Sequence, residues 1–177
     1  MPRSDELEQI IEGCRAGREE SFAKLVDLYA ARCYGYFYRL TGSRTLSDDL
    51  LAELFLKLVT KIRSYRGGGF DGWLFKTASN VFHDYLRQKQ RRKKALEAER
   101  IRKSETKLTV SGHEQDLADR LQLRLEQLDG DTRELIMLRF YSKLSFKELA
   151  KIRGEPIGTT LSKVHRGLKK LRELMEQ

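Results

Sequence analysis

A chain of 177 residues, 40% apolar and 34% charged with only two prolines, has room for one or two modest cores and suits helices rather than sheets. Its formal charge of +9 makes a polyanion the default partner. The apolar runs are short and broken by charge, which excludes a bilayer span, and MPRSDELEQ does not read as a secretory signal, so a cytoplasmic address is expected.

Leu7, Ile10, Ile11 and Cys14 recur at i, i+3, i+4 and i+7 behind a Ser4 cap, predicting a short amphipathic helix over Asp5 to Cys14. Phe22, Leu25, Val26, Tyr29, Cys33, Tyr36, Phe37 and Leu40 predict a longer one from Glu19 to Leu40, broken by Thr41-Gly42-Ser43. Both cysteines lie on apolar faces, as unpaired buried thiols do. With three scattered histidines they are too few for a zinc site, and no cofactor is called for.

A third helix is expected from about Ser47 to Ser64, with Leu50, Leu51, Leu54, Phe55, Leu58 and Ile62 inward. Leu56 projects the other way, among Asp49, Ala52, Glu53 and Thr60. An apolar knob in an acidic rim, on a basic protein, suits a protein partner better than DNA.

Tyr65-Arg66-Gly67-Gly68-Gly69 then forms a loop in which backbone can approach a ligand closely. Asp71 reads as the N-cap of the next helix, with Phe70 and Phe75 in hydrophobic-staple positions. Leu74, Ala78, Val81, Phe82 and Tyr85 form the inward face of that helix. Opposite them, Trp73 heads a row of Lys76, Asn80, His83, Arg87, Arg91 and Lys94. A charged helix face can be simply a solvated one, but no acid compensates the charge between Arg87 and Lys94, which fits a track of phosphates. Tyr65 and Trp73 fit equally a stacking platform for single-stranded nucleic acid and ordinary core packing.

Over Ala95 to Asp116 the apolar period is lost, and residues 99–116 read as a linker. Beyond it Leu117, Leu121, Leu125 and Leu128 mark a helix, Asp129-Gly130-Asp131 a break, and Leu135, Ile136 and Leu138 a second helix. Ser145-Phe146-Lys147-Glu148 is a capping box opening a third, which ends at Arg153-Gly154, and Pro156 opens a fourth to about Met175. Two helices joined by a short turn containing glycine form a helix-turn-helix, with Ala150 and Gly154 supplying the small residues. On the fourth helix Ile157, Leu161, Val164, Leu168, Leu171 and Met175 make one apolar seam. Thr159, Ser162, Lys163, Arg166, Lys169 and Lys170 lie opposite, with His165 on the flank, an order of hydroxyls then cations that suits major-groove entry.

Two basic helical modules of this kind resemble the small two-domain bacterial sigma factors of the extracytoplasmic-function group, and the likeness covers nearly the whole chain. DDLLAELFLKL, Asp48 to Leu58, resembles the segment that docks on the clamp helices of RNA polymerase, which implies polymerase contacts from Asp48, Asp49, Glu53, Leu56 and Lys57. WLFKTASNVFHDYLR, Trp73 to Arg87, is similar to the segment that melts and reads the −10 element. It implies DNA contacts from Tyr65, Phe70, Trp73, Lys76, Asn80, His83, Arg87 and Arg91. Leu144 to Arg172 resembles the −35-reading helix-turn-helix and implies contacts from Thr159, Ser162, Lys163, His165, Arg166, Lys169 and Lys170. Four positions depart from the pattern: Arg153, Glu155 and Thr160, which thin the apolar core, and Leu161, which removes a cation.

The resemblance implies an all-α fold: an N-terminal helical bundle over 1–98, a flexible linker over 99–116 and a four-helix helix-turn-helix domain over 117–177. It implies a specificity subunit, not an enzyme, that binds core RNA polymerase and promoter DNA, both duplex and opened non-template strand, and it leaves room for an anti-sigma partner. The alternative is a stand-alone helix-turn-helix regulator, which would not explain the acidic face around Leu56. A phosphoryl-transfer enzyme would need clustered carboxylates or a placed nucleophile and base, and the sequence offers neither.

Overall fold

The computed structural model describes residues 4–100 and 117–176, and side chains within 5–95 and 120–176. Among these residues the structure is all-helical: α1 (Ser4–Arg15), α2 (Glu19–Thr41), α3 (Arg44–Lys61), a 3-10 turn (Ile62–Ser64), α4 (Phe70–Arg100), α5 (Leu117–Glu126), α6 (Gly130–Ser142), α7 (Phe146–Arg153) and α8 (Ile157–Met175). None of the helices within the described residues is long and apolar enough to cross a membrane.

The centre is α2. Its inward residues Leu25, Tyr29, Cys33, Tyr36, Phe37 and Leu40 are buried, and α1, α3, α4 and α6 all pack on it. Each such large side chain removed from water contributes roughly 1.5–3 kcal/mol. Cys14 and Cys33 are free and buried, and burial pushes the Cys33 thiol up to about 12, so it stays protonated.

Helix boundaries differ from expectation where caps decide them. Ser43, not a residue near Ser47, caps α3 by accepting from the Leu46 N–H at 3.3 Å, and Ser47 is buried with its hydroxyl donating to the Ser43 carbonyl. Asp71 does not cap α4, which already begins at Phe70; its carboxylate instead pairs with Arg32 at 2.6 Å. The α4 helix runs on past Lys94 to Arg100, because ALEAER consists of good helix formers even without an apolar face. Of the expected linker, residues 101–116 lie outside the described residues.

The second group of helices follows its predicted punctuation closely. Asp129 caps α6 through the Thr132 N–H at 2.9 Å, and both halves of the Ser145–Glu148 capping box are formed. The left-handed Gly154 (φ +66°) ends α7 before Pro156 and α8. The packing of α8 departs from the predicted seam: Ile157, Leu161 and Leu168 are 48%, 42% and 49% exposed, while Thr160, Val164 and Gly167 are buried. Gly167 is the reason. A Cβ there would lie 2.4 Å from Thr132 Cγ2 and 2.8 Å from Ile136 Cδ1, so α6 touches α8 backbone and the packed face rotates toward the glycine.

Helices α5, α6 and α7 dock directly on α2 and α4, and one buried apolar cluster runs through both groups. Two glycines let them approach. At Gly35, mid-α2, an added Cβ would meet the Tyr141 ring at 2.7 Å, and at Gly72 it would meet Leu144 at 3.4 Å. A mid-helix glycine costs roughly 0.5–1 kcal/mol relative to alanine, so Gly35 is a concession to that contact.

Candidate polymerase and nucleic-acid interfaces

The outer face of α3 is as exposed as its pattern demands. Leu56 is 70% exposed, with Asp48, Asp49 and Ala52 also exposed and Glu53 half-buried. Lys57 interrupts the acidic rim without freeing its charge: its ammonium lies 2.8 Å from Glu53 and 3.0 Å from Asp84. Burial pulls the Lys57 pKa down, but hydrogen bonds to these two carboxylates outweigh it and raise it overall.

On α4 the predicted row divides. Lys76, Asn80, Arg87 and Arg91 are exposed, and Arg87 pairs with Asp84 one turn back. His83 is half-buried, its Nε2 2.9 Å from a Glu134 carboxylate oxygen on α6. The aromatics at the head of the row differ in exposure. Tyr65 and Phe70 are buried, 8% and 3% exposed, with ring centroids 5.5 Å apart at 89°, and Phe70 also meets Tyr29 edge-on. Trp73 is partly exposed and leans on both, at 5.5 and 5.6 Å. Tyr65 and Phe70 therefore form the bed, and Trp73 is the aromatic with a surface to offer. Between Tyr65 and Phe70, Gly67, Gly68 and Gly69 all hold positive φ (+88°, +86° and +104°), a backbone that other residues rarely adopt, and the Arg15 guanidinium donates to the Tyr65 carbonyl.

On α8, Thr159, Ser162, His165, Arg166, Lys169 and Lys170 are exposed. Lys163 is not free: its ammonium lies 2.6 Å from Glu155 and 2.8 Å from Asp131. The residues that seemed to thin this core form a connected network instead. Glu155 accepts from Thr160 Oγ1 at 3.0 Å as well as from Lys163. Arg153, its side chain 13% exposed, pairs with both Asp131 and Glu134. Burial pushes the Glu155 carboxyl up, but bonds from Lys163 and Thr160 more than reverse this and hold it below the usual glutamate range. Buried charges are tolerable when paired in this way.

Sequence reasoning missed Arg32, Gly35, Glu134 and Gly167. The signals were faint: glycines inside helical periods at 35 and 167, and an acid leading the apolar run Leu135-Ile136-Met137-Leu138.

The comparisons with known proteins agree with this layout. Residues 25–92, spanning most of α2 through the basic part of α4, match the family model Sigma-70 region 2, and residues 124–173 match Sigma-70, region 4. The chain is 31% identical to the RNA polymerase sigma factor CarQ of Myxococcus xanthus, covering 93% of this chain and 95% of that one. It is also 31% identical to the ECF RNA polymerase sigma factor SigE of Mycolicibacterium smegmatis, over 88% of this chain but only 62% of the relative's length. In fold it matches the sigma factor RpoE of Bartonella quintana, solved with the anti-sigma factor NepR, at a TM-score of 0.71 and 23% identity over 89% of this chain and 98% of that one. It matches CnrH, solved with the cytosolic domain of CnrY, at 0.67 and 21% identity over 94% and 95%. An acidic leucine face, an exposed cationic row and a capped helix-turn-helix thus occur in one chain with both sigma-70 regions, and the chain belongs to the extracytoplasmic-function group of RNA polymerase sigma factors.

Proposed function

We propose that this chain binds core RNA polymerase and directs promoter recognition, melting and transcription initiation, working in the cytoplasm and carrying out no catalysis itself. The polymerase-facing residues are Asp48, Asp49, Glu53 and Leu56, with Lys57 setting their geometry. The observation that carries the reading is that Leu56 stands 70% exposed on α3, while the cationic row of the adjacent α4 is also open to solvent. Seating one helix on a protein therefore aims the other at DNA.

At the −10 element, Lys76, Asn80, Arg87 and Arg91 follow the strand backbone. Trp73 stacks on an unstacked base beside the Gly67–Gly69 backbone, and His83 joins them once released from Glu134. At the −35 element, Thr159, Ser162 and His165 face base edges while Arg166, Lys169 and Lys170 meet phosphates. Two modest sites on one chain gain from effective concentration, so neither has to bind tightly alone. An anti-sigma protein is a candidate third partner, on the likeness to a sigma factor solved with one.

The test is capture of core polymerase by the full chain, followed by transcription from a promoter library. Leu56→Asp is expected to abolish capture without changing the melting temperature. Equal capture by Leu56→Asp would remove α3 from the interface. No capture by the wild type would favour a stand-alone DNA-binding regulator, a reading that leaves the region 2 match unexplained.

A further inference from the structure

Gly167 decides which side of α8 faces water. Because α6 packs on the helix backbone there, Thr160, Val164 and Gly167 turn inward, and Leu161, which belongs by its period to the apolar seam, is left 42% exposed. On the outer face Leu161, Ser162, His165 and Arg166 line one open hollow. Arg166 is folded back along the helix at this point, its Nε donating to the Ser162 carbonyl at 3.3 Å. Ile157 and Leu168, one turn before Leu161 and two turns after it, stand outside the hollow.

Charge is divided along the same helix. From Ile157 to His165 the only Lys or Arg is Lys163, and Asp131 and Glu155 hold its ammonium at 2.8 and 2.6 Å. The exposed cations begin at Arg166 and continue at Lys169 and Lys170. A recognition helix leads into the major groove with its N-terminal residues, so the part of α8 that meets base edges is short on cations while the charged part trails over phosphates.

At that entry Thr159 and Ser162 carry hydroxyls that can donate or accept, whereas Leu161 can do neither. What a leucine can cover is the C5 methyl of thymine, the apolar group that the major groove displays. Set against the amino group of cytosine or adenine, it would strip a donor of water without replacing the bond. Set against guanine, it would forgo the two acceptors that an arginine or lysine reads.

We infer that Leu161 is a specificity-determining residue of α8, packing on the methyl of one thymine in the −35 element, with Ser162 and His165 at the neighbouring base edges. This rests on the proposed −35 reading by α8 and adds to it the identity of one base. Loss of that methyl is expected to weaken binding about fourfold, the equivalent of one buried methyl group at ~0.8 kcal/mol.

The test uses the full chain with core RNA polymerase. Promoter duplexes selected by that complex from a randomised library are rebuilt with each thymine of the −35 element, on either strand, replaced singly by deoxyuridine, which lacks only the C5 methyl. Wild type is expected to lose about fourfold in affinity at one thymine. Leu161→Ala should bind the parent duplex about fourfold more weakly and be indifferent to deoxyuridine at that position. Leu161→Arg should be equally indifferent, prefer guanine there and steepen the salt slope by about one. The deoxyuridine series on wild type needs no substitution, so it decides even where a variant fails to fold. Specific binding by wild type that no single deoxyuridine weakens overturns the inference, as does a methyl-dependent loss that Leu161→Ala retains. A methyl-insensitive wild type that self-associates, with Leu161→Ala monomeric, overturns it in favour of an interface between copies. If the complex selects no −35 element at all, the proposed reading by α8 fails, and the assignment of Leu161 falls with it.

Discussion

Lys57 Nζ reaches from α3 to Asp84 Oδ2 on α4 at 3.0 Å, joining the helix proposed to face polymerase to the helix proposed to face DNA. Asp84 also takes Arg87, and hydrogen bonds first from Lys57 and then from Arg87 hold its carboxyl below the usual aspartate range. A depressed carboxyl contributes stability above its unfolded pKa and loses it as pH falls through the folded one. Asp84→Asn is therefore expected to lower the melting temperature at pH 7 by no more than about 2 °C, because the pair is partly solvated. As the pH falls below the ordinary aspartate value of 3.8 wild type and variant should converge, and a difference that persists at still lower pH would assign the effect to packing instead. Core capture should weaken more than stability, since the loss loosens the angle between α3 and α4.

Lys163 is expected to behave unlike its neighbours on α8. Arg166→Ala should weaken duplex binding and reduce the salt slope by about one, whereas Lys163→Ala should leave the slope nearly unchanged, because Asp131 and Glu155 already neutralise it. Glu155→Gln releases half of that hold and should steepen the slope. Salt titrations of the three variants give the ranking directly, and an equal loss for Arg166→Ala and Lys163→Ala would show that Lys163 leaves its acids on binding.

The α7 capping box is expected to be worth about 1 kcal/mol, read as the change in urea midpoint on Ser145→Ala. Bonds from the Ser145 side chain and backbone lower the Glu148 carboxyl, so the effect belongs to the ionised form. It should be full at pH 7 and shrink as the pH falls below about 4.5. Glu148→Gln should reproduce the low-pH behaviour at neutral pH.

Gly167→Ala puts a methyl where Thr132 and Ile136 already stand, and overpacking of this kind costs about 1–3 kcal/mol. A melting temperature several degrees lower is expected, despite the better helix propensity of alanine. The double variant Gly167→Ala with Ile136→Val should recover part of the loss; a stabilised single variant would mean that α6 and α8 separate freely.

Much of this protein was legible in the chain itself, because the signals were local. Heptad-like spacing of leucines and aromatics set the helices, and Ser145, Asp129, Gly154 and Pro156 set their ends, since a cap or a turn depends on residues only a few positions apart. The exposure of Leu56 and of Lys76, Asn80, Arg87 and Arg91 followed from the same periodicity. What depended on distant partners was decided only in three dimensions. The burial of Phe70 depends on Tyr29, and the neutralisation of Lys163 on Asp131. The orientation of α8 depends on Gly167 against Thr132 and Ile136, and the docking of the two helix groups on Glu134, Arg32 and Gly35. Periodicity tells which face of a helix avoids water but carries no record of which other helix covers it, and a glycine or a lone carboxylate declares its role only beside the atom it accommodates.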